Sequence, residues 1–361
     1  MRRPIHVALA LLSFCPSLAA AANHWSVKPA GILQYDYAGY AGDRARGEAD
    51  GARRTRAGLR AKHSSGLMLR FEWDFAAGTI TDVYAEWPSI NASHLRVGQF
   101  KQPFSLEQQG SSRDTALQER SMVHDAFNIG RRVGLMWTQP LAALTVQTSV
   151  FGGAAEVPSA ARGIALRGFA APIEGEQFHL GVALAHERRD DTRLRLRARA
   201  ESRLLPFTPL DSGWQNGVDA SWRGGLESAW LSGSLSLQAE WIALYSDGGE
   251  ALDGAGGYIQ ASWLNGGAQR VLSDGKVRKP ALNADTRLWE FSARLSQVEL
   301  ERDEAPLGRQ QQLTFGVTAL IGRHWQWALE HGRWETRRAR AGHAPDLEQG
   351  RLTSARLQFS F

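Results

Sequence analysis

The chain has 361 residues, of which 42 are Lys or Arg and 37 are Asp or Glu, for a formal net charge of +5. This small charge does not by itself indicate a polyanionic partner, although 37 arginines stand against only 5 lysines. The arginine bias fits bidentate anion binding, and it fits a GC-rich coding bias equally well. The single cysteine, Cys15, lies near the N-terminus, which excludes disulfides and thiolate sites from the rest of the chain.

Residues 1–22 have the pattern of a secretory signal. Arg2 and Arg3 give a positive start, an apolar run extends from residue 7 to residue 15, and an alanine-rich cleavage site follows. The apolar run is too short to cross a bilayer as a helix. We therefore expect export, removal of residues 1–22 and a single domain over residues 23–361. Export also argues against a nucleic-acid partner.

Apolar and polar residues alternate with a period of two along most of the chain after the signal. Clear examples are residues 67–75, 235–243, 289–295 and 312–321. In a β-strand this pattern gives one apolar face and one polar face. Segments of about ten such residues are typical of transmembrane β-barrels, in which the apolar face meets lipid and the polar face lines the lumen.

A soluble β-sandwich would alternate in the same way, but here the strands are longer and the polar faces carry full charges. The connections also alternate between short turns and longer polar loops. The predicted turns are residues 64–66, 88–91 and 322–323, and the predicted longer loops are 41–51, 102–129 and 337–349. We predict an all-β fold, a transmembrane antiparallel β-barrel of about 16 strands, with 18 as the alternative because residues 204–225 blur the pattern.

The aromatic residues and the C-terminus fit an outer membrane. Several of the 13 tryptophans, such as Trp87, Trp263 and Trp325, lie near predicted strand ends, where interfacial girdles form. Phe361 closes a terminal strand of the kind that barrel-assembly machinery reads. We expect the outer membrane of a Gram-negative bacterium, with its lipid and that machinery as partners. No motif indicates a cofactor or a metal site.

The most regular alternation lies in residues 193–200, where Arg193, Arg195, Arg197 and Arg199 alternate with leucine or alanine. As a strand this segment places the four guanidinium groups on one face, whereas a helix would scatter them. A column of like charges destabilises an ordinary sheet. It is favourable if the column faces water and attracts anions while the apolar face meets lipid. A solvated sheet face or a basic linker is the alternative.

Other basic residues are predicted to face the lumen once the outward positions are assigned. Arginine on the lipid face costs roughly 2–4 kcal/mol near the midplane, so the inward assignment is favoured. The predicted inward residues are Arg54, Arg56, Arg60 and Lys62 of the second strand, Arg70 of the third, Arg132 of the sixth and Arg167 of the eighth. Inward acids are expected to pair with some of them, at Glu72, Asp74, Asp82 and Glu86. Guanidinium groups in series can replace the water around an anion and pass it along.

The long connection at residues 102–129 is predicted to fold into the lumen as a constriction loop. It is too long for a turn, it follows Lys101, and it contains Arg113 and Arg120. A loop that only covers the outer mouth is the alternative.

The order of several short motifs resembles a known family, the phosphate- and polyphosphate-selective porins of Gram-negative outer membranes, of the porin O and P type. The matching segments are residues 53–56, 98–107, 111–112, 119–121, 130–134 and 193–199. The resemblance implies a 16-stranded homotrimeric barrel, an inward constriction loop, an arginine ladder and passive diffusion of phosphate or polyphosphate. It makes Lys101 and Arg113 constriction contacts and Arg193 to Arg199 wall contacts. At residues 264–267 the chain has Leu-Asn-Gly-Gly where the family often has Leu-Thr-Gly-Glu.

Three other functions stay open on the sequence alone. One is a general or differently selective outer-membrane porin, and another is a structural barrel with a plugged lumen. The third is an outer-membrane hydrolase, which needs a Ser–His pair or paired carboxylates. The candidate histidines lie in no recognisable nucleophile motif; they are His179, His186, His331 and His343.

Overall fold

Sixteen of the strands close into one antiparallel barrel, as the alternation predicted. The computed structural model describes residues 24–156, 161–170, 177–339 and 344–361, so the predicted signal lies outside the described residues. The strands in chain order are β1 (Trp25–Gly42), β2 (Arg46–His63), β3 (Met68–Asp74), β4 (Thr79–Pro88), β5 (His94–Lys101), β6 (Arg131–Pro140), β7 (Leu144–Phe151), β8 (Ala161–Ala170), β9 (Gln177–Arg189), β10 (Arg193–Leu194), β11 (Arg197–Ala198), β12 (Leu210–Asp211), β13 (Gln215–Asn216), β14 (Val218–Ser232), β15 (Leu235–Gly248), β16 (Leu252–Leu264), β17 (Val271–Ser273), β18 (Lys276–Arg278), β19 (Arg287–Arg302), β20 (Ala305–Ile321), β21 (Trp325–Arg338) and β22 (Asp346–Ser360). The short strands β10 to β13, β17 and β18 pair among themselves and are not part of the barrel wall.

The barrel closes between the first and last strands. Leu33 of β1 pairs with Phe359 of β22, and Gly31 exchanges two backbone hydrogen bonds with Phe361, at 3.0 and 3.2 Å. The start of β1 and the end of β22 therefore lie at one end of the barrel, here called the terminal end. The opposite end is called the loop end because the long connections 102–130 and 190–217 leave from it.

The wall is apolar outside and polar inside, with the predicted side-chain directions. Leu59 of β2 is 53% exposed on the outer surface, while Arg54 is 5% exposed inside. One detail differs: the β1–β2 register shifts at Gln34 and Tyr35, so β2 carries an extra residue there. Such a bulge lets two consecutive side chains face the same way. Arg53 therefore joins Arg54 on the lumen side, where both contact Glu119.

The connection predicted at 41–51 is shorter than expected. β1 continues to Gly42 and β2 begins at Arg46, because the period-two pattern persists to the tip of this hairpin. The connection predicted at 337–349 is also shorter, because β21 ends at Arg338 and β22 begins at Asp346. Residues 340–343 of this connection lie outside the described residues. A single 3-10 turn, Ile90–Ala92, connects β4 and β5.

Three connections enter the lumen. The first is the predicted constriction loop, which contains α1 (Leu106–Gln109) and α2 (Met122–Phe127). The second spans residues 190–217 and contains β10 to β13, and the third spans residues 265–286 and contains β17 and β18. The third is unexpected because it leaves from the terminal end, where connections in outer-membrane barrels are usually short. In the described part of the chain, no helix has the length and apolar character needed to cross a membrane.

The arginine column at 193–199 is not part of the wall, which corrects the predicted wall contacts. Its alternation is real, since Leu194, Leu196 and Ala198 are at most 4% exposed and the arginines face the other way. The apolar face, however, packs inside the barrel rather than against lipid. It joins a buried cluster with α2 and with the inner surface of β9, β15 and β19, which supply residues such as Ala183, Ala185, Ile242, Leu244, Val298 and Leu300.

Candidate functional site

A basic cavity of about 290 Å³ lies between the wall strands β1 to β6, the constriction loop and the third inward connection. Its basic lining residues are Arg56, Arg60, Arg70, Arg96, Lys101, Arg113, Arg120, Arg131, Lys276 and Arg278. Only three carboxylates share the lining, those of Glu72, Asp82 and Asp114. The backbone also brings Ser111 and Ser112 to its surface. The cavity is therefore strongly electropositive and rich in hydrogen-bond donors.

Several of the lining arginines are held by carboxylates on neighbouring strands. Arg131 lies 2.7 Å and Arg70 lies 3.2 Å from Asp82. Arg113 approaches Glu72 at 3.6 Å and donates to the carbonyl of Gly31 at 3.2 Å. The predicted inward acids therefore do pair with arginines, and the pairing fixes the side chains in place. Three further pairs belong to this set: Arg56 with Asp74, Arg96 with Glu86, and Arg278 with Asp274.

Four other cations have no carboxylate within ion-pair distance among the described residues: Arg60, Lys101, Arg120 and Lys276. Lys101 Nζ donates to the carbonyl of Gly110 at 2.7 Å, and Arg120 donates to the carbonyls of Glu107 and Gly110 at 2.7 and 2.9 Å. Carbonyl dipoles orient both of these side chains. Burial lowers the pKa of Arg120 to about 10, which still leaves it charged at neutral pH. Arg60, Arg120 and Lys276 therefore add positive charge that no carboxylate of the lining pairs with, and Lys101 adds an N–H donor.

Arg54, one of the predicted site residues, helps hold the constriction loop against the wall. Glu119 of the loop lies 2.7 Å from Arg53, 3.3 Å from Arg54 and 2.6 Å from Arg356. On the far wall, Glu240 accepts hydrogen bonds from the backbone amides that begin α1, at 3.0 and 2.7 Å. The loop thus crosses the lumen and is tied at both sides, as the inward folding predicted.

The second inward connection brings the arginine column near the loop end of the lumen. Arg195 forms a two-point ion pair with Asp211, at 2.8 and 2.5 Å, and Arg199 lies 2.7 Å from Asp125 of α2. Arg193 and Arg197 have no carboxylate within ion-pair distance in the described part of the chain. Two of the four arginines are therefore ion-paired, and Arg193 and Arg197 are not, in the described part of the chain. The segment that carries them packs against the inner surface of the wall.

A smaller cavity of about 40 Å³ lies between this segment and the constriction loop, lined by Arg53, Arg54, Arg199 and Arg203. Arg120 lines both this cavity and the larger one. It therefore stands between the loop-end side of the lumen and the basic cavity. Arg132, another predicted site residue, lies outside both cavities and approaches the buried Glu187 at 3.5 Å.

The structure brings together four of the ten predicted site residues in the large cavity, Arg56, Arg60, Lys101 and Arg113. Sequence reasoning named Arg70 and Arg120 without placing them in the site. It missed four lining residues, Arg96, Arg131, Lys276 and Arg278. For Lys276 the only sequence signal was the Asp274-Gly275 turn of a hairpin, and a hairpin gives no sign that it enters a lumen.

Lys276 gives the cavity a pH-dependent charge. Burial, together with Arg96 and Arg278, lowers the pKa of Lys276 to about 8. The ammonium group is charged below this pH and neutral above it, so the positive potential weakens as pH rises from 7 to 9. We expect anion-over-cation selectivity to fall over this interval in planar bilayers. Lys276→Gln should start from the lower selectivity and stay flat, and an equal decline in that variant would contradict the assignment.

One buried carboxylate ties the second inward connection to the far wall. Glu201 lies 2.5 Å from Arg294 and accepts hydrogen bonds from Ser296 and Thr314 of the far wall at 2.6 and 3.0 Å. Removing one partner of a buried ion pair costs about 3–5 kcal/mol. Glu201→Gln should therefore loosen residues 190–217, seen as faster proteolysis there and a higher single-channel conductance.

Asp211→Asn is the matched control for Glu201→Gln, because Asp211 pairs with Arg195 in a partly exposed setting within the same segment. It should change proteolysis and conductance little. Equal effects of the two variants would show that Glu201 has no special anchoring role.

The apolar exterior, the charged lumen and the inward constriction loop define a porin of the outer membrane. A family profile described as phosphate-selective porin O and P matches residues 27–361, and the chain belongs to this family. A comparison with proteins of curated function finds no significant match.

Solved structures show the same fold at low sequence identity. A loop-deletion mutant of OmpT, an outer membrane protein of Vibrio cholerae, has a TM-score of 0.63 at 10% identity, covering 92% of this chain and 99% of that one. An anion-selective porin from Comamonas acidovorans has a TM-score of 0.58 at 12% identity, covering 93% and 100%. The channel DcaP of Acinetobacter baumannii has a TM-score of 0.55 at 13% identity, covering 93% and 97%.

Proposed function

We propose that this porin lets anions, above all phosphate or polyphosphate, diffuse passively through the basic cavity. The observation that carries the proposal is the excess of ten basic over three acidic side chains around a space of about 290 Å³. Arg60, Arg120 and Lys276, which have no carboxylate partner among the described residues, supply the attraction. Lys101 and the ion-paired arginines supply a rigid frame of donors. A small anion entering this space exchanges its water for N–H and O–H groups.

The path proposed for the anion begins at the loop end. Arg193 and Arg197 raise the local anion concentration at the entrance, as fixed positive charge does in a cleft. Arg120, which lines both cavities, passes the anion to Lys101 and on toward Arg60 at the terminal end. Several sites of similar strength in series allow release, where one deep site would trap the ion.

The preference for phosphate rests on the kind of donor. Guanidinium groups present paired N–H donors that match two phosphate oxygens, which chloride cannot exploit in the same way. Seven arginines other than Arg120 line the cavity, and two serine hydroxyls stand among them. The family description names phosphate, and the Comamonas porin is described as anion-selective. A general porin of weak selectivity remains the alternative.

We propose a channel without enzymatic activity, because the candidate histidines have other contacts. His179 is buried and bonded to Glu227 at 2.9 Å, and His186 stacks on Trp222 with ring centroids 4.2 Å apart. His331 bonds to Thr353 on the outward surface. His343 lies outside the described residues. We also propose a homotrimer, on the family resemblance and on a trimeric form described for the Vibrio cholerae protein.

Planar-bilayer reversal potentials in gradients of chloride, phosphate and pyrophosphate test the proposal. We expect anion selectivity in every salt and a chloride current that added phosphate blocks. Cation selectivity would contradict the anion path. Anion selectivity without phosphate block would support the general porin instead. Chemical cross-linking of the detergent-solubilised protein should give trimers, and monomers under all conditions would reject the assembly.

A further inference from the structure

The outward surface near the loop end carries arginines placed directly opposite one another on adjacent strands. Arg333 of β21 faces Arg351 of β22 across the ladder, and both side chains are exposed. Two other pairs have the same arrangement, Arg309 with Arg337 and Arg162 with Arg188. Like charges directly opposite each other destabilise a sheet. Such pairs therefore need a counter-charge.

Two of the three pairs find that counter-charge within the protein. Arg309 lies 3.3 Å from Glu299, and Arg162 lies 3.7 Å from Asp190. Within the described ranges, the Arg333–Arg351 pair has no carboxylate within ion-pair distance; Arg333 donates only to the amide oxygen of Gln349, at 3.4 Å. The neighbouring loop residues 340–343 contain no acid in the sequence.

The acids nearest to this pair on the outward surface are already engaged. Glu335 is bonded to Arg337 at 2.8 Å and to Gln349 at 3.0 Å. Two strands away on β2, Glu48 is bonded to Tyr37 at 2.5 Å and Asp50 to Tyr35. The pair is thus left open to an external anion.

A third free arginine extends the row. The β-ladders align Arg46 of β2, Ala41 of β1, Arg351 and Arg333 across four consecutive strands. Arg46 is exposed and has no ion pair in the described part of the chain. Ala41 and Gly39 keep the surface between the arginines low, and a side chain added at Gly39 would meet nothing within 4 Å. The row is a shallow basic shelf, here called the arginine shelf (Arg46, Ala41, Arg351 and Arg333).

The height of the arginine shelf matches a headgroup layer. On β21 it lies eight residues above Trp325 of the lower aromatic girdle, with Trp327 and Leu329 between them on the same face. At a rise of about 3.3 Å per residue and a tilt of about 40°, this distance is about 20 Å along the membrane normal. The apolar band of such barrels is about 25 Å tall. The backbone of the shelf therefore lies about 5 Å below the upper edge of the band, at the loop end, which faces the exterior. The long arginine side chains reach the headgroup layer from there.

We propose that the arginine shelf binds a phosphate group of a phosphorylated glycolipid in the outer leaflet of the membrane. Arg333 and Arg351 supply adjacent guanidinium donors for the phosphate, and Arg46 supplies a third charge across the low surface of Ala41 and Gly39. The acyl chains lie below, along the exposed apolar side chains Leu329 and Leu357. The site is on the outer surface and is separate from the anion path.

Native mass spectrometry of the delipidated protein in detergent tests this site, with bis-phosphorylated lipid A as the probe. We expect wild-type protein to bind lipid A and Arg333→Gln/Arg351→Gln to bind it at least tenfold more weakly. The matched control is Arg287→Gln/Arg323→Gln, which removes the same charge from exposed positions at the terminal end and should bind as wild type does. Heat-shift of the barrel on gels confirms that each variant is folded.

Three results would overturn the proposal. Equal binding of dephosphorylated lipid A would show that the acyl chains alone are recognised. Displacement of lipid A by millimolar inorganic phosphate would show a free-phosphate site. If Arg333→Gln/Arg351→Gln dissociated the oligomer while each protomer kept its affinity for lipid A, the shelf would be an interface between copies of the chain.

Discussion

Replacing Arg60 and Lys276 together with glutamine is expected to lower the anion-to-cation permeability ratio about fivefold in planar bilayers. Neither side chain has a carboxylate partner among the described residues, so their removal leaves no buried acid without its partner. Two unit charges about 10 Å away attract an anion by about 0.8 kcal/mol and repel a cation by the same amount in a water-like medium. Screening by salt reduces the combined difference to about 1 kcal/mol. A difference of about 1 kcal/mol corresponds to about a fivefold change. The barrel should fold normally, because lumen positions do not face lipid.

The control for Arg60→Gln/Lys276→Gln is the outward pair Arg333→Gln/Arg351→Gln. It removes the same charge from the protein but from outside the lumen. Its permeability ratio should equal that of wild type. If both double variants lowered selectivity equally, net charge rather than the cavity would determine it.

A single cysteine at Arg113 is expected to turn the channel into one whose anion current depends on the charge of an attached label. Arg113 lies on the constriction loop and lines the basic cavity. Cys15 is the only native cysteine and lies in the predicted signal, so Arg113→Cys gives one reactive thiol in the mature chain. A sulfonate-bearing methanethiosulfonate should reduce chloride conductance by more than half, because it adds a negative charge where a positive one stood.

The charge of the label separates electrostatics from obstruction. A trimethylammonium reagent of similar size should restore much of the lost conductance. Arg333→Cys on the outer surface should give no response to either reagent. Equal inhibition of Arg113→Cys by both reagents would mean that Arg113 narrows the channel sterically and does not attract anions.

The sequence predicted the barrel because a wall strand must show one face to lipid and one to the lumen. Alternation such as that of Thr55, Ala57 and Leu59 against Arg54 and Arg56 is a direct consequence of that geometry. The strand number of about 16 was predicted correctly for the same reason. The inward constriction loop was predicted from a different observation, the length of the connection at 102–129, which is too long for a turn. The connection at 41–51 was predicted wrongly because its polar composition hid an alternation that continues to the tip of the hairpin.

The placement of the arginine column could not follow from alternation alone. A period-two alternation indicates which side chains share a face. It does not indicate whether the apolar face contacts lipid or another part of the protein. The sequence feature that indicates an inward-packed segment is a wall strand that is apolar on both faces. Ile242 and Leu244 face inward on β15 while Trp241 faces outward, which indicates that something packs inside the barrel at that position.

The site was predicted only where its residues lie on the wall or on the constriction loop. Arg56 and Arg60 follow from the strand pattern, and Lys101 from its place beside the loop. Lys276 could not be predicted, because it reaches the cavity on a connection from the terminal end that folds back into the lumen. The contact of Arg53 with Glu119 depends on the bulge at Arg53, a local register shift that the pattern does not specify.

An anomalous-scattering experiment on crystals grown with arsenate, a close analogue of phosphate, shows whether anions occupy the basic cavity. We expect arsenic peaks inside the cavity between the constriction loop and residues 265–286, within hydrogen-bond distance of Arg120, Lys101 or Arg113. We also expect these peaks to disappear or weaken in Arg60→Gln/Lys276→Gln crystals under the same conditions. Arsenic peaks confined to the rims or the outer surface of the barrel, with the cavity empty, would contradict an anion path through the cavity.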